Sequence, residues 1–294
     1  MKWFFAINDS AKRLELYSQM IKVAVYTANH NTSLEAFCIY DGEENELTTW
    51  LRKNHVQIIF HRTPHYQKLQ NIGGSNFTIG TGAFLRVEIP QIVAMNGIKD
   101  EYVLYTDTDV IFIKDVTEDF KDINCEYFAV APEKDYDSRN TMNTGVMYMN
   151  TKNLLECHQE FNQFIRKNLR KFCKRAFDQG AYNRFFRGKW DWLDATLNWK
   201  AYWHRNDQAK IIHFHGLKLN NFEFSKTVSP KLAKFTNEFF WQNRKIWQDT
   251  YNQILLREQN HIGGLKESQL RLQKMQLELD IYQFRLSQIQ GKLI

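Results

Sequence analysis

Tyr102-Val-Leu-Tyr-Thr-Asp-Thr-Asp-Val-Ile-Phe-Ile113 is an apolar run broken at its centre by Asp107 and Asp109. A continuous run of this length predicts a strand buried on both faces, as in a parallel sheet. A carboxylate there costs on the order of several kcal/mol in desolvation unless something offsets it. At i and i+2 both side chains leave the strand on one side. Two adjacent carboxylates repel, and one would hold a proton. A hard divalent cation relieves both difficulties, because Mg²⁺ and Mn²⁺ take oxygen ligands. The carboxyl ends of parallel strands are also where open α/β sheets bind ligands. Asp107-Thr108-Asp109 therefore reads as a metal site at the top of a sheet. A short D-x-D pattern also suits caps and turns, so the reading depends on what else the chain supplies.

Toward the N-terminus, Trp3–Ile7 predicts a first buried strand ending in Asn8-Asp9-Ser10. A helical pattern follows through Leu14, Leu16, Tyr17, Met20 and Ile21. Such a βα turn can hold a base or ribose, or simply cap the helix. Leu34–Tyr40 and Val56–Phe60 predict two more strands around a charged helix, Glu43–Asn54. The pattern βαβαβ marks a parallel sheet covered by helices. Residues 63–82 carry glycines at 73, 74, 80 and 82 and predict a long polar loop. Ala83–Met95 predicts a helix with Arg86 near its start, suited to a bidentate grip on phosphate or to a surface ion pair.

Toward the C-terminus, Tyr127–Ala131 predicts a strand, and Asn143 and Gly145 stand before another. An asparagine there can hold a sugar hydroxyl, or build a turn with the glycine. Leu154–Arg175 predicts one long amphipathic helix with Arg166, Lys167, Arg170, Lys171, Lys174 and Arg175 opposite its apolar side. Such a face is solvated, or it meets acidic lipid or an anionic acceptor. Asp178 and Gln179 open the next helix, where polar groups are presented to a ligand. Trp190–Trp199 is aromatic-rich, as a core or a sugar platform is. Ile211–Lys218 is the second decisive stretch: an apolar strand ends in His213, His215, Gly216 and Lys218. Imidazole can supply a third metal ligand, glycine lets backbone approach a phosphate, and lysine adds a point charge.

Asp107-Thr-Asp109, Asn143-Thr-Gly145, Asp178-Gln179 and His213-Phe-His-Gly216 with Lys218, in this order, resemble the glycogenin-like retaining glycosyltransferases of glycosyltransferase family 8, which have the GT-A fold. The resemblance covers about residues 1–220 and lies in the ordered set rather than in any one motif. It implies an α/β Rossmann-like mixed sheet flanked by helices. It implies Mn²⁺ (or Mg²⁺) on Asp107, Asp109 and His213, the family's His-x-x-Gly spacing selecting His213 over His215. Gly216 and Lys218 would hold the nucleotide diphosphate together with Thr108. Asn8, with Asp9 or Ser10, would meet base and ribose, Arg86 the phosphate and donor sugar, and Asn143, Asp178 and Gln179 the sugar. The implied donor is a UDP-sugar and the acceptor a saccharide or glycolipid, as in polysaccharide biosynthesis. Two departures stand out. Ala11 occupies the place of the aromatic residue that family members stack on uracil, and Lys218 falls two residues after Gly216 instead of three.

The 294 residues hold 43% hydrophobic and 15% aromatic residues, enough for a catalytic domain with an appendage. The net charge of +6, from 39 Lys+Arg against 33 Asp+Glu, suits anionic ligands. No nucleic-acid signature appears, so no nucleic-acid partner is expected. Four scattered cysteines without C-x-x-C, no signal-peptide pattern and no membrane-length apolar run predict a cytoplasmic protein, at most peripheral on a membrane's inner face. The expected domains are 1–225 (catalytic), 226–262 (a helical extension begun by Ser229-Pro230) and 263–294 (a heptad helix). In the last, Leu265, Leu272, Leu279, Leu286 and Leu293 recur every seven residues, with Met275, Tyr282 and Ile289 three after their leucines. That a/d seam predicts a coiled coil and self-association, or a partner protein, through 265–293. Two other functions fit less of the pattern. A non-catalytic sugar-nucleotide-binding scaffold would not need the full ligand set. A sugar nucleotidyltransferase would carry a Gly-rich phosphate loop where this chain has Asn8-Asp9-Ser10-Ala11.

Overall fold

The computed structural model describes residues 1–9, 14–216 and 235–262, with 274, 276–278 and 281. The chain divides into two compact units, Met1–Lys200 with Arg205–His215, and Ala201–His204 with Gly216–Ile294.

In the first unit β1 (Lys2–Asn8) runs parallel to β2 (Glu35–Asp41), and β2 to β3 (Gln57–Phe60). On its other side β1 pairs in parallel with β4 (Tyr102–Thr106). β7 (Met142–Asn150) is antiparallel to β4, and β6 (Phe128–Pro132) and β8 (Asp191–Trp192) complete a seven-stranded mixed sheet of order β3-β2-β1-β4-β7-β6-β8. The chain leaves β1 on one side and returns on the other at β4. The crevice at their carboxyl ends is therefore a switch point, where open α/β sheets bind ligands. The strands are apolar on both faces because both are covered. Trp3, Phe5 and Ile7 pack with Ile21, Ala24, Val25 and Ala28 of α1 (Leu14–Asn31). Phe4 lies in the opposite cluster with Phe37, Val103, Ile92 and Phe161. This alternation has the strand period of two.

Several elements differ from the sequence reading. Residues 102–113 are not one strand. β4 stops at Thr106, the Asp107 N–H bonds Gly145 O at 2.8 Å, and the chain turns into β5 (Val110–Phe112) of a second sheet. There β5 is antiparallel to β10 (Ile211–His213), which is parallel to β9 (Trp199–Lys200). The charged helix expected at 43–54 is α2 (Glu46–Lys53), and the expected loop at 63–82 contains two more helices, α3 (Tyr66–Ile72) and α4 (Gly74–Ala83). Its glycines serve the junction and the packing rather than a loop. Gly73 and Gly74 take φ of 70° and 59° between the helices, and a Cβ on Gly80 would stand 2.7 Å from Leu69 Cδ2. The helix expected at 83–95 begins as a 3₁₀ turn, Phe84–Glu88, before α5 (Ile89–Met95). The helix expected at 154–175 is two, α6 (Thr151–Glu156) and α7 (His158–Cys173), the first capped by Asn150. Next is α8 (Phe177–Phe185). Asn143 and Gly145 lie inside β7, not ahead of it, where the pairing with β6 jumps: Val130 faces Met147 and Ala131 faces Asn143. This bulge frees Thr144, Gly145 and Val146 from β6, and bulges of this kind re-aim backbone beside functional sites.

The second unit contains the helix Glu238–Ile262, here α9, whose Phe240, Arg244, Trp247 and Ile254 are buried at helical spacing. Lys218, the 225/226 boundary, Ser229-Pro230 and the heptad positions named above lie outside the described residues.

Candidate active site

At the break between β4 and β5 the chain assembles the expected triad. Asp107, Asp109 and His213 each offer a ligand atom, all within 4.8 Å of one another. His213 Nε2 stands 3.4 Å from Asp109 Oδ1 and 3.8 Å from Asp107 Oδ2. Neighbouring ligands on bonds of about 2.1 Å at right angles are separated by roughly 3 Å, so modest closure would complete a cation site. Thr108 is buried between the two acids, and the second sheet holds the triad from the other side, with Phe214 N–H on Asp109 O at 2.9 Å.

Asp107 is aimed by its neighbours. Its Oδ1 accepts from Arg86 Nη2 at 2.7 Å and Tyr105 Oη at 3.1 Å, while Oδ2 is the oxygen facing His213. Arg86 is buried in the 3₁₀ turn. It also donates to Thr144 O, stacks 4.4 Å over the Tyr105 ring and lies 2.9 Å from Asp178 Oδ2. That last contact is an ion pair without hydrogen-bond alignment. Burial alone would lower the Arg86 pKa, but Asp107 and Asp178 overcome it and hold the guanidinium charged. Burial pushes Asp178 up to about 6, against Arg86 and with Asp107. Burial likewise lowers His213, which Asp109 opposes.

Asn143, Asp178 and Gln179 reach the same cleft. Gln179 Nε2 donates to Glu133 Oε1 at 3.0 Å, and Gln179 Oε1 accepts from Asn143 Nδ2 at 3.2 Å and Thr144 N at 3.1 Å. Asn143 Oδ1 accepts from Asn198 Nδ2, Lys200 Nζ and Gly145 N, at 2.9, 2.8 and 3.2 Å. Gly145 has no room for a side chain: a Cβ there would lie 2.1 Å from His213 Cε1. His215, the other candidate imidazole, stands 3.8 Å from Glu133 Oε1. Gly216 takes φ of 84°, a backbone suited to glycine. At the end of β1, Asn8 is buried and its amide donates to Thr78 O at 2.9 Å and to Thr81 Oγ1. Asp9 is exposed, accepting from Glu43 N at 3.4 Å.

The sequence reading gave no role to Glu133, Asn198 or Lys200. Lys200 had a legible signal, a charge inside the apolar run Leu197–Trp203, as Asp107 and Asp109 have in theirs. It is fully buried, and burial pushes it down to about 7 against the pull of Glu133, Asp107 and Asp109. The cleft thus gathers four carboxylates (Asp107, Asp109, Glu133, Asp178) against two cations (Arg86, Lys200). Negative charge is thus in excess, as a cation site requires, and the mixed oxygen and imidazole donor set suits Mn²⁺ or Mg²⁺.

The fold is that of GT-A glycosyltransferases. Similar solved structures include GlyE of Streptococcus pneumoniae TIGR4, with TM-score 0.57 and 18% identity over 87% of this chain and 64% of that one. The galactosyltransferase LgtC, in complex with donor and acceptor sugar analogues, gives 0.54 and 15% over 80% of this chain and 100% of its own. Mouse xyloside xylosyltransferase 1 gives 0.51 and 15% over 74% and 99%. The chain spans less than two thirds of the GlyE structure. No family model matches the sequence, and no curated protein does.

Proposed function

We propose that this chain is a metal-dependent retaining glycosyltransferase resembling glycosyltransferase family 8, moving a hexosyl group from a UDP-sugar to a saccharide or lipid-linked hydroxyl. The observation that carries this reading is the convergence of Asp107, Asp109 and His213 at the switch point of a fold shared with glycosyltransferases. The three residues would hold Mn²⁺ or Mg²⁺, which when bound stabilises charge on the diphosphate as a Lewis acid. Asn8 and Asp9 would meet the nucleoside, and Gly216 and Lys218 the diphosphate. Arg86 keeps Asp107 turned toward the triad and offers positive charge beside the donor.

In the transfer, the bond from the anomeric carbon to the diphosphate oxygen breaks, its electron pair leaving with the diphosphate. The acceptor hydroxyl oxygen bonds to the same face, and its proton passes to the departing oxygen. Gln179, whose amide is fixed by Glu133, Asn143 and Thr144, would stand near the reacting carbon and steady the positive charge developing on the sugar. A covalent intermediate on Asp178 fits less well, because that carboxylate is buried against Arg86.

We place 1–225 in the catalytic domain, 226–262 in a helical extension and 263–294 in a self-associating heptad helix. Among the described residues no helix is long and apolar enough to cross a membrane. The exposed cations of α7 support a peripheral position on an anionic membrane surface.

UDP release from a panel of UDP-sugars, with and without Mn²⁺, tests the reading. Asp109→Ala is expected to lower turnover on the order of 10³-fold. Metal-independent release, or undiminished turnover in Asp109→Ala, sinks it.

A further inference from the structure

We propose that Asn198 is a positioning residue that sets which ring nitrogen of His213 carries the proton, so that Nε2 meets the two aspartates as a lone pair. The proposal rests on the reading of Asp107, Asp109 and His213 as a cation site, but it concerns the imidazole itself.

The direction of every hydrogen bond in this part of the cleft follows from groups that have no choice. A carboxamide can be turned end for end at little cost, so its orientation has to be argued from its partners. Two backbone N–H groups, which only donate, fix the amides here. Thr144 N–H points at one end of the Gln179 amide, 3.1 Å away, so that end is the oxygen. The other end then donates to the Glu133 carboxylate, which only accepts. Gly145 N–H points at one end of the Asn143 amide, 3.2 Å away, so that end is oxygen too, and the Asn143 NH₂ falls on Gln179 Oε1 as it must.

The next link is Asn198, which is fully buried. The atom it brings to Asn143 Oδ1, at 2.9 Å, must be its NH₂, leaving its oxygen 2.9 Å from His213 Nδ1. An oxygen there requires a proton on Nδ1. A neutral imidazole has only one ring proton, so Nε2 is left bare toward Asp109 Oδ1 at 3.4 Å and Asp107 Oδ2 at 3.8 Å. A lone pair facing two carboxylates is unfavourable without a cation and is what a cation requires. Two fixed backbone donors thus dictate, through three amides, the form in which a ligand is presented. Outer partners of this kind keep a metal-bound histidine in one tautomer.

Selective ¹⁵N labelling of histidine in the full chain tests this, with the His213 signals assigned by their loss in His213→Gln. In wild type Nδ1 is expected to keep its proton whether or not Mn²⁺ is bound. Asn198→Ala removes the acceptor and is expected to release the ring to the other tautomer, with Mn²⁺ affinity by titration calorimetry falling on the order of 10–100-fold. Asn198→Asp gives up the donor to Asn143 Oδ1 but keeps an acceptor for the Nδ1 proton, and is expected to keep Nδ1 protonated, which separates the effect on the ring from loss of the network. A wild-type ring without a proton on Nδ1 overturns the proposal, as does an Asn198→Ala protein with wild-type tautomer and Mn²⁺ affinity. Failure of the cation-site reading shows separately, as wild type that binds no Mn²⁺ while its tautomer is still measured.

Discussion

The cleft and the outer face of α7 handle charge in opposite ways. In the cleft each charge has an opposite partner or a directed hydrogen bond close by: Arg86 with Asp107 and Asp178, and Lys200 on Asn143 Oδ1 with carboxylates around it. On α7 and just past its end, Arg166, Lys167, Arg170, Lys171, Lys174 and Arg175 are all exposed, and none makes an ion pair among the described residues. Water explains the difference. A buried charge left unmatched costs several kcal/mol on the usual scale, about 3–5 when one partner of a pair is removed, whereas an exposed one is screened. Position inside the cleft is therefore dictated atom by atom, while the outer face is constrained in sign alone. Substitutions in the two places are expected to differ in kind.

Among substitutions that leave the charged groups in place, the largest effect is expected at Gly145, which bears no charge but touches the imidazole of the triad. Gly145→Ala places a methyl 2.1 Å from His213 Cε1 and 2.9 Å from Asn143 Oδ1, closer than real contacts allow. The imidazole must move off the aspartates. Mn²⁺ affinity by calorimetry is expected to drop on the order of 10–100-fold, and wild-type affinity in the variant would show that the cleft is not packed this tightly.

Lys200 comes next, and its effect on stability is expected to have the opposite sign from its effect on function. Burial pushes its pKa down from 10.5 to about 7. The unfolded chain therefore binds this proton more tightly than the folded one, and the group's contribution to stability rises as pH climbs from about 7 toward 10.5. At and below pH 7 the buried ammonium is a net cost. Lys200→Met is thus expected to raise Tm near neutral pH, by about 2–4 °C for each kcal/mol relieved, and to flatten the rise of Tm with alkaline pH. UDP release is expected to fall, because Asn143 loses a donor and the carboxylates lose a cation. A variant melting lower than wild type at neutral pH would mean that attraction to the carboxylates outweighs desolvation.

The same contrast explains what the sequence disclosed. Asp107, Asp109 and His213 were legible because polar residues ending apolar runs are out of place, and the cost of burying them asks for a reason. The βαβαβ start was legible from period and punctuation. The break between β4 and β5 was not, because a strand passing from one sheet to another leaves the same apolar pattern as one that continues. Nor was the helical stretch at 66–83, where glycine could signal a loop or a close helix contact, and only the Leu69 side chain against Gly80 decides. Asn198 and Glu133 carry no local signal at all. Their importance lies in a chain of partners distant in sequence, joined by the β7 bulge and the second sheet.

The smallest expected effect on the fold belongs to α7. Arg166 with Arg170, Lys167 with Lys171 and Arg170 with Lys174 are like-charged neighbours at i,i+4, each pair costing roughly 0.2–0.5 kcal/mol and less as salt rises. Arg170 and Lys171 recover part of this in the last turn, where cations oppose the helix dipole. Changing Lys167, Arg170, Lys171 and Lys174 together to Gln, which suits a helix about as well, is expected to leave Tm within about 2 °C of wild type or slightly above it. UDP release toward a soluble acceptor should be untouched. Sedimentation with vesicles containing phosphatidylglycerol should drop on the order of a thousandfold in partitioning, since each of the four cations contributes about 1 kcal/mol near an anionic surface. Phosphatidylcholine vesicles should sediment neither protein. If the variant loses several kcal/mol of stability instead, the outer face is as closely matched as the cleft, and the contrast between the two fails.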